Sequence, residues 1–100
     1  MVRTALLVRL QAKPGKEREV ARFLEESLAL ANQEAATPIW FALKFGPAAF
    51  GIFDAFADEA GRKAHLAGQI AAALMAKAPD LLAQPPQIEQ VDVLAAKVSH

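Results

Sequence analysis

The first helical segment is indicated by apolar residues that recur with the spacing of a helix between Lys16 and Ala31. This spacing predicts an amphipathic helix, with charged residues on its opposite side and an end near Asn32. The apolar stripe comprises Val20, Phe23, Leu24, Ser27, Leu28 and Ala31.

A second helical segment follows Asp58, whose short carboxylate is suited to cap a helix N-terminus, and this helix continues through His65 and Leu66. Gly68 weakens the helical pattern and predicts a break, after which a second short helix covers Gln69–Ala78. We expect Pro79 to end that helix, because a proline ring has no backbone N–H to donate.

Four predominantly apolar runs, bounded by turn residues, predict β-strands. They cover Arg3–Ala12, Ile39–Phe45, Phe50–Phe56 and Gln87–Ala95. Gly46-Pro47 predicts a tight turn between the second and third strands, which together hold six of the seven aromatic residues. Residues 97–100 are expected to form a frayed tail.

The resulting order, β-α-β-β-α-β, predicts a ferredoxin-like α+β fold, with a four-stranded antiparallel sheet and both helical segments on one face. The second and third strands are apolar at nearly every position, a pattern typical of strands that are buried on both faces. Helices cover only one face, so we expect a second copy of the chain to cover the other and form a homodimer.

Composition narrows the classes of function. The chain has 100 residues, which predicts one domain, and 54% of them are hydrophobic, which favours an oligomer. Eleven basic and eleven acidic side chains give no net charge, and no basic stripe indicates nucleic acid. The absence of cysteine excludes disulfides and cysteine metal sites. No apolar run is long enough for a signal peptide or a membrane span, so a cytoplasmic protein is expected.

Two stretches carry a family resemblance. AKPGKEREVARFLEE and FGIFDAFADEAGRKAHL resemble the antibiotic biosynthesis monooxygenase family of the dimeric α+β barrel superfamily. Asp54, Phe56 and His65 stand at the acidic, aromatic and histidine positions of the second motif, where the family often has Glu and Trp at the first two. The haem-degrading branch is disfavoured, because its characteristic residues are replaced here by Val8 or Leu7, His65 and Met75.

The resemblance implies a monooxygenase that oxidises a small phenolic or quinol-like substrate with dioxygen and needs no metal or other cofactor. Such a reaction requires an apolar cavity, a proton acceptor and a group that stabilises a developing anion. Two alternatives remain open: a non-catalytic dimeric module that binds a small hydrophobic ligand, and a structural dimer without a pocket.

His65 and Asp54 are the candidate catalytic residues. An imidazole with an ordinary pKa near 6.5 could accept a substrate proton at neutral pH, although a helix histidine that only packs and bonds locally is the alternative. Asp54 could be a base, but we favour a structural partner for Arg9 or for the amide groups of a helix N-terminus.

The candidate substrate-binding residues are aromatic or flexible side chains: Trp40, Phe41, Phe53, Phe56, Met75 and Arg9. Core or interface packing is the alternative for the aromatic residues and for Met75, while Arg9 could pair with Asp92 or Asp54. Strand alternation places Phe41, Leu43 and Phe45 on one face and Trp40 and Ala42 on the other. The pattern leaves open which of these faces the helices cover.

Overall fold

The computed structural model describes residues 1–98 and shows one sheet with helices packed on one of its faces. Its elements are β1 (Thr4–Gln11), α1 (Glu17–Glu26), α2 (Leu28–Ala31), β2 (Ile39–Lys44), β3 (Ala49–Phe56), α3 (Glu59–Leu66), α4 (Gln69–Leu81) and β4 (Gln87–Asp92). In the predicted tail, residues 97 and 98 have no regular secondary structure, and residues 99 and 100 lie outside the described part of the chain.

The sheet has the strand order β2-β3-β1-β4, and all its neighbouring strands are antiparallel. The long strands β1 and β3 occupy the centre and pair along their full length, from Thr4 opposite Phe56 to Gln11 opposite Ala49. The predicted ferredoxin-like α+β fold is therefore confirmed.

The hydrophobic core lies between the sheet and the helices. Val8 and Ile52 contribute to it from the central strands, while Val20, Leu24 and Leu74 contribute from the helices. The amphipathic stripe is confirmed at Val20, Leu24 and Ala31, which are buried, but the prediction for Leu28 is wrong because that side chain lies on the exposed side of α2.

The prediction that Pro79 ends its helix is also wrong, because α4 continues to Leu81. A proline removes one helical hydrogen bond, and so close to the C-terminus the rest of the ladder is little affected. The last turn is held by Leu81, which packs in the core, and by the Leu82 N–H, which donates to the Ala78 carbonyl at 2.9 Å. The Lys13 ammonium donates to the Pro79 carbonyl at 2.6 Å.

The face of the sheet opposite the helices is apolar and substantially exposed. Strand register places Leu7, Phe53 and Phe41 side by side on this open face, whereas Trp40 and Ala42 lie on the helix-covered face. The predicted alternation is thus confirmed. Phe41 is 55% exposed and Phe45 is 52% exposed, although aromatic side chains of this size are usually buried.

None of the helices within residues 1–98 is long and apolar enough to cross a membrane.

Candidate functional site

Helix α3 positions His65 against the sheet. The Asp58 carboxylate accepts a hydrogen bond from the Gly61 N–H at 3.0 Å, so the helix begins with a side-chain cap, as predicted. Two turns later His65 faces inwards, with its ring centroid 5.4 Å from that of Phe56 on β3. The residue is only 7% exposed.

A carboxylate lies beside each ring nitrogen of His65. Nε2 is 2.8 Å from Oδ2 of Asp54, and Nδ1 is 2.6 Å from Oε1 of Glu34. Asp54 is fully buried, with 0% exposure, on the helix-covered face of β3. Apart from this ion pair, neither Asp54 oxygen has a hydrogen-bond donor among the described residues. We call this arrangement of Glu34, His65 and Asp54 the charged triad.

The two carboxylates decide the charge of the histidine. Burial lowers the pKa of His65, but the hydrogen bonds and charges of Asp54 and Glu34 outweigh burial and raise the pKa from 6.5 to about 8. At neutral pH the ring is therefore mainly an imidazolium that uses both N–H groups. It is already protonated, so it is poorly suited to accept another proton directly.

Glu34 is the member of the triad that the sequence pattern does not reveal. It lies in the loop between α2 and β2, where Oε1 also accepts a hydrogen bond from the Thr37 hydroxyl at 2.9 Å. Its other oxygen, Oε2, is buried without a hydrogen-bond partner in residues 1–98. Nothing in the periodicity distinguishes it from the six other glutamates of the chain.

A pocket of about 340 Å³ opens beside the triad, between this loop and the junction of α3 with α4. Glu34 and His65 lie in its wall, together with the small residues Ala36, Ala64 and Gly68. Asp54 does not line the pocket and lies behind the histidine. Because small side chains form much of the wall, the pocket has room for a ligand next to charged groups.

The predicted substrate-binding residues fall into separate places. Phe56 contacts His65, and Trp40 lies directly across the strand pair from Asp54 with its buried indole N–H unpaired among the described residues. Phe41 and Phe53 lie on the open face, where their rings are 6.4 Å apart. Met75 is 57% exposed and lines a different surface depression.

Arg9 also lies on the open face, and both pairings predicted for it are wrong. Its guanidinium is 3.4 Å from the carboxylate of Glu89 on β4, and it lies over the ring of Phe45 at 5.5 Å. Asp54 and Asp92 project from the other face of the sheet, so the pleat keeps them away from Arg9.

The oxygen and nitrogen atoms of the triad that could bind a metal ion do not converge on one point, because the two carboxylates lie at opposite edges of the His65 ring. Within residues 1–98, no group of three His, Cys, Asp or Glu side chains could hold a metal ion.

Comparison with known proteins identifies a relative. No family model and no curated protein sequence match the chain. Among solved structures, the protein NE2512 of unknown function from Nitrosomonas europaea is 64% identical, with a TM-score of 0.97 over 100% of this chain and 97% of its own. The chain belongs to the same family as NE2512. Because the match covers nearly all of both chains, this chain and NE2512 share the whole fold and not only one segment of it.

More distant solved structures share the fold, and some of them are described as candidate antibiotic biosynthesis monooxygenases. A candidate antibiotic biosynthesis monooxygenase from Nitrosomonas europaea is 15% identical, with a TM-score of 0.81 over 92% of this chain and 99% of its own. Another from Chloroflexus aurantiacus is 16% identical, with a TM-score of 0.74 over 96% and 97%. These likenesses confirm the predicted fold, and they do not extend to substrate or catalysis.

Proposed function

We propose that this protein is a monooxygenase that oxidises a small phenolic or quinol-like substrate with dioxygen and uses no bound cofactor. The observation that carries the proposal is the buried charged triad, of which Glu34 and His65 line a pocket of about 340 Å³. The shared fold with candidate monooxygenases supports the same class of reaction.

The chemistry requires proton transfer and stabilisation of negative charge. In the oxidation of a phenol to a quinone, one C–H and one O–H bond of the arene break. One oxygen atom of dioxygen becomes the new carbonyl, and the other leaves as water with both hydrogens. Both ring nitrogens of His65 contact carboxylates, so the imidazolium would offset the developing negative charge through its positive charge beside the pocket, without donating a hydrogen bond to the substrate. Asp54 would keep the ring charged and oriented. Glu34, the carboxylate of the triad that lines the pocket, would receive the hydroxyl proton of the substrate.

We also propose that two copies associate through the open face of the sheet. The exposed rings of Phe41 and Phe45 support this interface. So does Gly51, since a Cβ atom there would lie 2.7 Å from the Phe45 ring. The absence of a side chain at Gly51 lets the Phe45 ring pack closely against β3, and the exposed rings on this face are suited to a symmetric partner.

Oxygen uptake tests the catalytic proposal. Purified protein is mixed with a panel of phenols that includes 1-naphthol, and the rate of oxygen uptake is compared with the rate in buffer. We expect at least one substrate to exceed the buffer rate, and Asp54→Asn to lower the enzymatic rate by on the order of a hundredfold. Asp80→Asn, a matched change at an exposed position of α4, should retain the wild-type rate. A panel in which no substrate exceeds the buffer rate rejects the proposal.

One observation favours a second candidate function, a non-catalytic module that binds a small ligand in the same pocket. Both ring nitrogens of His65 already contact carboxylates, so the histidine is not a free base. Binding of panel compounds without oxygen uptake would support this module. A structural dimer without a pocket is disfavoured, because the volume of about 340 Å³ exceeds the roughly 300 Å³ at which ligand sites begin.

A further inference from the structure

Glu34 lines the pocket, and one of its two carboxylate oxygens has no hydrogen-bond donor within residues 1–98. Glu34 uses Oε1 twice, for the Thr37 hydroxyl and for Nδ1 of His65. Its Oε2 is buried and receives no hydrogen bond from residues 1–98. A buried carboxylate oxygen without a donor is destabilising, so native proteins usually satisfy it with protein, water or ligand.

Two glycines lie against the loop that carries Glu34, and one of them lies against its carboxylate. A Cβ atom on Gly68 would lie 3.2 Å from Oε2 of Glu34, and one on Gly61 would lie 3.1 Å from the Ala36 carbonyl. Gly68 has φ of −90°, which other residues also adopt, so its backbone does not require glycine. Both glycines instead allow the loop that carries Glu34 to approach α3 closely.

We infer that Oε2 of Glu34 receives the hydrogen bond of a neutral hydroxyarene in the pocket and accepts its proton during oxidation. The inference rests on the proposed function and assigns the proton acceptor and the ligand's ionisation state. His65 is then a positioning residue, because its N–H groups hold Glu34 on one side and contact Asp54 on the other.

The transfer of the hydroxyl proton to Glu34 is coupled to the loss of electrons from the arene ring. A carboxylate is too weak a base to ionise a resting phenol fully, since their ordinary pKa values differ by roughly six. As the ring gives electrons to dioxygen, its hydroxyl becomes far more acidic. The O–H bond then breaks, its electron pair stays with the arene oxygen, and the proton moves to Oε2. That proton leaves later in the water that is formed.

The ionisation of bound 4-nitrophenol tests the inference, because its phenolate is yellow and its neutral form is not. A carboxylate partner favours the neutral form, so protein titrated into the dye near its ordinary pKa should decrease the yellow absorbance. Glu34→Gln should weaken binding of the neutral form at least tenfold. Glu26→Gln, a matched change at an exposed position of α1, should bind as the wild type does.

A second pair of variants tests, without changing a charge, whether the close approach of the Glu34 loop to Gly68 matters for binding. Gly68→Ala crowds Oε2 and should weaken binding of neutral 4-nitrophenol, whereas Gly46→Ala should not, because a Cβ atom there meets nothing within 4 Å. Circular dichroism establishes that each variant is folded before its binding is compared.

Three results would overturn the inference: an increase in yellow absorbance on binding, wild-type affinity in folded Glu34→Gln, or no binding at millimolar dye. The dye-binding test of Glu34 can succeed or fail independently of the oxygen-uptake test of catalysis. Protein that binds the neutral dye through Glu34 but consumes no oxygen with any substrate would retain the ligand contact and reject the monooxygenase.

Discussion

At the scale of single residues, the charged form of His65 is expected to stabilise the fold more than the neutral form. Asp54 is a buried carboxylate on an otherwise apolar strand, and such a group is costly unless a cation lies beside it. The imidazolium supplies that cation at 2.8 Å and also holds the loop through Glu34. Stability and the geometry of the pocket therefore depend on the same proton.

Unfolding at different pH values tests this dependence. The folded pKa of His65, about 8, is above its ordinary value of 6.5. The extra stability is therefore fully present below about pH 6.5 and is lost as pH rises through about 8, an amount of roughly 2 kcal/mol. Urea denaturation at about pH 6 and about pH 9 measures the change. His65→Gln should remove this part of the pH dependence, and a wild-type protein equally stable at both values would contradict the account.

Removal of the buried carboxylate is predicted to be more damaging than removal of an exposed one. Asp54→Ala leaves the imidazolium with Glu34 alone and should lower the free energy of unfolding at about pH 6 by about 3 kcal/mol. Asp80→Ala, at an exposed position, should change it by less than about 1 kcal/mol. Equal effects of the two changes in urea denaturation would show that the ion pair with His65 contributes little.

At the scale of secondary-structure elements, the start of α3 fixes where His65 faces the sheet. Asp58→Ala removes the side-chain cap on the Gly61 N–H and should lower the free energy of unfolding by about 1 kcal/mol. Thermal denaturation measures this loss. Asp58→Asn is the matched control, because an asparagine side chain also caps helices and should retain most of the stability. If Asp58→Ala is as stable as the wild type, the cap does not hold α3.

Features that depend on neighbouring residues could be predicted from sequence. The Asp58 cap and the Gly46-Pro47 turn are of this kind, and in the turn the Phe45 N–H donates to the Ala49 carbonyl at 2.8 Å. The contact between Glu34 and His65 joins residues 31 positions apart. It depends on the path of a loop that has no periodicity, so the pattern could not reveal it.

The wrong predictions for Arg9 and Pro79 have the same origin, which is tertiary structure that the local sequence does not show. Charge alone predicts Asp54 or Asp92 as the partner of Arg9, but the pleat of the sheet places Arg9 beside Glu89 on the open face. At Pro79 the local rule for proline was outweighed by tertiary packing of Leu81 in the core. Local patterns therefore predict the elements, and the family resemblance singles out Asp54 and His65, but neither shows how side chains from distant segments meet.

At the scale of the whole molecule, the open face predicts a dimer that a single charge should disrupt. Wild-type protein is expected to sediment as a dimer at micromolar concentration, and Phe41→Glu as a monomer, because a carboxylate would be buried in the proposed interface. Met75→Glu is the matched control, since Met75 is similarly exposed but lies on α4. A monomeric wild-type protein would refute the interface.

All three members of the charged triad come from one chain and lie on the helix-covered side of the sheet. The site and the proposed interface are thus on opposite faces, so the monomeric Phe41→Glu variant should retain a His65 pKa of about 8.

The most direct test of the charged triad is a titration of the His65 ring nitrogens by ¹⁵N NMR, in which the chain has only two histidines to resolve. We predict that one histidine keeps both ring nitrogens protonated at neutral pH and titrates at about 8, and that Glu34→Gln lowers this value. A His65 ring that titrates at or below 6.5, or whose titration is unchanged by Glu34→Gln, would contradict the account.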